Sequence, residues 1–311
     1  MHLYQRLLLA LTTGYIAFFF NERIFWSMPR PEDTLLGFIL GWLLYSVFAY
    51  MCLVVVQSFK IRSIWALFLV AALFGWLVEG LFALTTFGIN FPFPFSIPWT
   101  ALAWHAPAFL LGWYGMLRVL SSSTLNTFLA TLALGVFWGT WSLAWPINTG
   151  DEVFVTSDIY LLHGLISTTF YILALHLFHR LGIKDFAASK AEKIVLGFIA
   201  LALFAGYTIP GAIPIVGFLL PLTLLPVLFG LLYLGLWKNK RVETEANAFT
   251  LVDSHIPFLR SLILLLAPCI AALIFNSGLY MNTNIAWMLV LTPCGTIIFI
   301  VSLYKVLRRQ Q

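Results

Sequence analysis

About ten stretches of this 311-residue chain are apolar for long enough to cross a bilayer, at roughly 6–22, 35–58, 64–86, 99–118, 124–145, 159–179, 192–209, 213–237, 259–278 and 284–306. A hydrocarbon core about 30 Å thick needs about 20 apolar residues of helix, and lipid offers no partner to a backbone N–H or C=O. Only helices and closed barrels satisfy that condition. A barrel would alternate in segments of about ten residues, whereas these runs are unbroken. The pattern predicts an all-α fold, a polytopic transmembrane helical bundle.

Charge orients it. Placing fifteen of the seventeen Lys and Arg residues in the cytoplasm leaves only Arg23 and Arg30 outside. Basic segments resist translocation, so ten spans put both termini in the cytoplasm. Charged residues make up only 9% of the chain, against about 25% in soluble domains. The net charge of +5 then follows from the positive-inside bias, and no nucleic-acid partner is implied. The partner implied is the lipid bilayer itself. Arg6 before an apolar run has the outline of a signal peptide, but no small-x-small site precedes Asn21-Glu22-Arg23, so a retained first helix is expected.

The mixed-charge stretch 238–258 reads as a cytoplasmic linker. It divides a core bundle, 1–237, from a C-terminal helical pair with its tail, 259–311. Cys52, Cys269 and Cys294 lie far apart in apolar spans without a CxxC, so buried packing residues are expected, not disulfides or a zinc ribbon. Residues 90–99 contain three prolines and four aromatics, which predicts a short interfacial wedge. Trp138, Trp141 and Trp145 form one helical stripe, expected as an interfacial belt and packing face ahead of a substrate groove. Pro210-Gly-Ala-Ile-Pro214 predicts a tight outer turn, and Asp151 and Glu152 a solvated acidic loop. His176 and His179 are expected to snorkel to the headgroups.

Glu79 is the most informative side chain. It stands in Phe74-Gly-Trp-Leu-Val-Glu-Gly-Leu-Phe-Ala83 without a charged neighbour, where a carboxylate costs about 2.5–3.5 kcal/mol on insertion scales. It is expected to face the bundle interior or a wet cavity, as a base or ligand, or else as a structural hydrogen-bonding group between helices. His105 and His163 each read singly as packing residues. By residue counting, Glu79 lies roughly 8–10 Å, His105 roughly 9 Å and His163 roughly 7 Å below the outer surface. That common layer predicts one shared outer cavity.

At Trp104-His-Ala-Pro-Ala-Phe109 and Leu161-Leu-His-Gly-Leu-Ile-Ser-Thr168 the chain resembles the CPBP family of CAAX prenyl endopeptidases and bacterial immunity-type membrane proteases. The resemblance covers about 64–180 and rests on short motifs. It implies peptide hydrolysis within the membrane without a covalent intermediate, with Glu79 as general base, His105 assisting, and His163 and Ser167 supporting the oxyanion. It also implies a membrane protein or peptide as substrate and, by extension, a bacterial inner membrane. The chain departs from the family pattern: Val78-Glu79-Gly80 has one glutamate where the family has two, Leu84 or a neighbour replaces its arginine, and Ser167 replaces the usual Asn. Two spans exceed the usual eight.

No cofactor is specified. Glu79, His105 and His163 are an alternative metal set, and histidine with carboxylate suits zinc, although no His-Glu-x-x-His is present. Two other classes stay open: a transporter or lipid- or small-molecule-binding protein, and a non-catalytic scaffold or assembly subunit.

Overall fold

The computed structural model describes residues 1–30, 33–89, 91–148, 155–183, 186–240 and 256–308, which are helical with no strand. Fourteen α-helical segments follow one another: α1 Leu3–Phe18, α2 Leu35–Ser58, α3 Ile64–Leu81, α4 Ala106–Leu110, α5 Met116–Ser122, α6 Thr124–Ser142, α7 Trp145–Asn148, α8 Ser157–Leu181, α9 Lys190–Leu203, α10 Ile209–Val216, α11 Leu219–Lys240, α12 Phe258–Ser261, α13 Leu266–Phe275 and α14 Thr283–Arg308. Helix starts follow local chemistry. Thr34, Ser63 and Ser123 accept from the backbone N–H of Gly37, Ala66 and Asn126 at 3.0, 3.2 and 3.1 Å, each filling one of the donors a helix N-terminus leaves open. Ser189 and Glu192 form a reciprocal capping box on α9.

Among the described residues, nine helices are long and apolar enough to cross a membrane. They match the expected spans except 99–118. That run is helical from Ala101 to Ser122 but passes through two π-helical turns, Ala101–His105 and Leu111–Gly115, on either side of α4. Two further π turns, Phe19–Ile24 and Phe204–Thr208, extend α1 and join α9 to α10.

The bundle is built around α3, 83% of which is buried, against 11% for the peripheral run Lys190–Val216. Helix α1 packs between α2 and α8, α13 packs on α6 and α8, and α14 lies against α3 and the π turn 101–105. Glycines permit the last contact. A Cβ on Gly75 would collide with the carbonyl of Ala101, and one on Gly295 with that of Leu102. The π turn is thus clasped between α3 and α14 at backbone distance, the small-residue packing that lipid-embedded helices favour. The C-terminal pair is part of the bundle's packing; the expected linker lies mostly outside the described residues, as do Asp151 and Glu152.

Several local expectations are corrected. Pro210–Pro214 is not the turn: helix α10 runs through it and the chain reverses at Gly217, whose φ is 78°. Pro210 stands inside the continuous helical run Lys190–Val216, directly after the π turn Phe204–Thr208, the kind of local adjustment by which a membrane helix tolerates a proline. Cys52 is buried, but Cys269 is half-buried and Cys294 exposed, so the cysteines are not uniformly core residues. Trp138 and Trp141 are fully buried, so the stripe is a packing face and not a surface belt. The proline-rich segment folds back on α3. Ser96 donates to the Thr86 carbonyl at 2.9 Å, and the Trp76 indole donates to the Ile97 carbonyl at 3.0 Å. Its tip, Pro92 to Phe95, is exposed, as a wedge at an interface would be.

Candidate active site

Glu79 ends up 4% exposed near the end of α3, and it is not alone. One carboxylate oxygen meets His105 Nε2 and the other accepts from the Thr85 hydroxyl. Thr85 Oγ1 in turn lies 3.1 Å from Thr100 Oγ1. These contacts follow from the chain's course. Helix α3 stops at Leu81, Leu84 adopts the left-handed conformation at φ 60°, and the 3₁₀ turn Thr85–Phe87 brings Thr85 back over Glu79. A bulky residue with positive φ is strained, and such strain persists where surrounding contacts over-determine it. His105 closes the π turn clasped by Gly75 and Gly295, so its ring is delivered by a segment that cannot slide. π turns recur at functional sites because they re-aim a side chain within a helix.

The pair borders a cavity of about 570 Å³, within the range of small-molecule sites. Glu22, Arg30, Thr85 and Thr100 add polar groups to its lining, and Phe25, Trp26, Trp99, Trp141 and Trp145 form aromatic walls. Helix α14 contributes Asn284, Ile285 and Met288. Trp141 and Trp145 are held by their indole N–H groups, both of which donate to the Phe25 carbonyl, at 2.6 and 2.9 Å. The stripe read from the sequence as a packing face therefore also supplies part of the cavity wall.

Glu22 is the group that sequence reasoning missed. It sits on the π turn Phe19–Ile24, where its carboxylate accepts from the Tyr45 hydroxyl at 2.6 Å and the Trp26 indole at 3.0 Å. It lies within electrostatic reach of His105. Nearby, Asp33 pairs with Arg30 at 2.9 Å and with Arg23 at 3.5 Å. The Arg30 guanidinium stacks 4.2 Å from the centre of the Trp26 ring. The signal available was that Ile24-Phe25-Trp26 continues the apolar run beyond the charged pair.

His163 is not in this cavity, which corrects the expectation of a three-residue cluster. It engages the backbone of Arg23, and its Nε2 is buried without a hydrogen-bond partner among the described residues. The π turn that presents Glu22 to the cavity presents its next residue to α8. Ser167 lies one turn further along α8, buried, with its carbonyl accepting from Tyr15 at 3.3 Å. Glu79 and His105 come together, but α8 packs on α1, its π turn and α13 and not on α3, which keeps His163 apart from them. Among the described residues, no three His, Cys, Asp or Glu side chains are placed to hold a metal, so Glu79, His105 and His163 do not form a ligand set.

Chemically, the site is a carboxylate–imidazole pair in a cavity that also holds a second carboxylate and a guanidinium. Such a set can take a proton from a small hydroxylic molecule and stabilise charge that develops beside it. His105 Nδ1 has no hydrogen-bond partner among the described residues, so the fold commits only one of its ring nitrogens. Comparison with protein-family models, with curated proteins and with solved structures finds no match to this chain.

Proposed function

We propose that this integral membrane protein is a hydrolase that cleaves an amide bond of a membrane-bound peptide or protein in the Glu79–His105 cavity. The contact of Glu79 with His105, at the wall of a cavity large enough for a peptide segment, is the observation that carries the reading. Glu79 and His105 act as one unit: the pair removes a proton from water, and the water oxygen attacks the carbonyl carbon. The resulting oxyanion draws on the Arg30 guanidinium and the hydroxyl of Thr100. Collapse breaks the C–N bond, and the proton held by the pair passes to the departing amine. No covalent intermediate forms. Arg30 thus takes the stabilising part that the sequence resemblance gave to His163 and Ser167.

The resemblance to CPBP proteases agrees with the Glu79 and His105 parts of this assignment. In this reading the bundle has ten spans with both termini in the cytoplasm of a bacterial cell and the cavity near the outer face of its inner membrane. A second reading, binding or transport of a small molecule, draws on the two π turns that contribute to the cavity lining, Phe19–Ile24 and Ala101–His105, since interrupted helices mark substrate sites in transporters.

Glu79→Gln separates the two. The change keeps size and hydrogen-bonding capacity but deletes the base. Purified protein in proteoliposomes, supplied with a mixture of membrane peptides and read by mass spectrometry, should lose at least about 100-fold in product formation. Unchanged product formation would remove Glu79 from catalysis. Absence of product from the unaltered protein, together with saturable uptake of a solute, would favour transport.

A further inference from the structure

The opposite end of α8 carries a second recess, of about 680 Å³, whose lining joins an apolar stripe to a basic one. Leu173 lies deepest in the span and Leu177 follows it one turn on along the same stripe, while His176, His179 and Arg180 stand beside that stripe in the last two turns, next to Phe258 at the start of α12. Residues 176, 179 and 180 have the spacing that places side chains on one helix face. Leu173 and Phe258 are each about half exposed, 50% in both cases, so the apolar part opens toward lipid.

The hydrogen bonds set the histidine's polarity. Ser261 donates its hydroxyl proton to the Phe258 carbonyl at 2.6 Å, so the 2.8 Å contact between His176 Nε2 and Ser261 Oγ has the imidazole as donor. His176 is thereby fixed in orientation at the wall of the recess. The carbonyl end of α8 opposes an anion at this place. Three basic side chains in the last turns counter that field and supply N–H donors suited to phosphate oxygens.

We propose that this recess binds an anionic phospholipid, with the phosphate on His179 and Arg180 and an acyl chain along Leu173 and Leu177. Basic pockets at membrane-facing helix ends recognise anionic headgroups in this way. The joined apolar and basic halves favour a lipid over free phosphate, which shares only the headgroup chemistry. The proposal is independent of the hydrolase reading, because it concerns a different cavity.

The test uses the full chain in nanodiscs of phosphatidylcholine doped with labelled phosphatidylglycerol, with bound lipid counted after exchange. Unaltered protein should retain phosphatidylglycerol in preference to phosphatidylcholine. Arg180→Gln should reduce that preference about fivefold. Leu173→Trp, which fills the apolar half and leaves the basic groups in place, should also reduce it. Millimolar inorganic phosphate should leave the retained lipid in place. No preference in the unaltered protein, or full preference in both variants, would overturn the proposal. Displacement by inorganic phosphate with no effect of Leu173→Trp would instead identify a free-phosphate site and overturn the lipid assignment. Melting temperatures of both variants, compared with that of the unaltered protein, separate lost binding from lost fold.

Discussion

Arg23 and Arg30, the two basic residues that do not fit the one-sided charge distribution, are the two that meet Asp33 beside the cavity. The exception to the orientation pattern has a local reason. Asp33 and Glu22 are carboxylates that need positive partners away from bulk water, and Arg23 gains further support from the Phe18 and Phe38 rings at 5.2 and 5.3 Å. Glu22 holds its place through Tyr45 and Trp26, so replacing it with leucine leaves a phenol and an indole N–H without that acceptor. Glu22→Leu should therefore lower stability by about 1–3 kcal/mol, the cost of orphaned buried donors. Adding Tyr45→Phe should recover part of that loss, because one orphan is removed. Thermal unfolding of the single and double variants in detergent checks this, and equal or greater loss in the double variant would contradict it.

At the scale of elements, the site depends on a π turn clasped by glycines. Gly295→Leu puts a side chain where the Leu102 carbonyl already lies, so α14 must move or the turn carrying His105 must deform. A loss of about 1–3 kcal/mol is expected from such overpacking. Gly197→Ala, on α9 with open space around its Cβ position, serves as the counterpart. It should be neutral or stabilising by up to about 1 kcal/mol through helix propensity. Melting temperatures of the two variants should diverge, and similar values for both would remove the clasp from the account.

The same elements show what the sequence could disclose. Helix existence was legible because apolar runs of bilayer length have no other way to satisfy their backbone. The meeting of Glu79 and His105 was legible because a short loop joins consecutive spans and both groups lie near the joined ends. The place of His163 was not legible, because depth does not say which helices are neighbours: α8 packs on α1, its π turn and α13 and not on α3, and the periodic signal that would pick out the packed face is weak when lipid and protein faces are both apolar. Glu22 went unseen because a polar triplet with two charges looks like the end of a span, whereas the π turn keeps the chain helical through Ile24. The turn at Gly217 was not legible because proline commonly breaks a helix, whereas here the run Lys190–Val216 stays helical through Pro210 and Pro214 beyond a π turn.

For the whole molecule, orientation and activity are linked, since a cavity on the wrong face would meet different substrates. Ser122, at the end of α5, and Ser277, between α13 and α14, are both accessible positions. The proposed topology puts them on opposite sides of the membrane. In a protein lacking Cys52, Cys269 and Cys294, cysteines introduced singly at these positions should react with a membrane-impermeant reagent from opposite faces. Labelling of both from the same face would exclude the topology.

The hydrolase reading is tested most directly by following water into the product. Protein reconstituted in proteoliposomes and supplied with membrane peptides in ¹⁸O-enriched water should release peptides whose new carboxylate carries the label. Glu79→Gln should lower that labelled yield by at least about 100-fold while the protein keeps the melting temperature of the unaltered chain. Labelled product formed equally well without the Glu79 carboxylate, or none formed by the unaltered protein, would contradict the assignment of this cavity to hydrolysis.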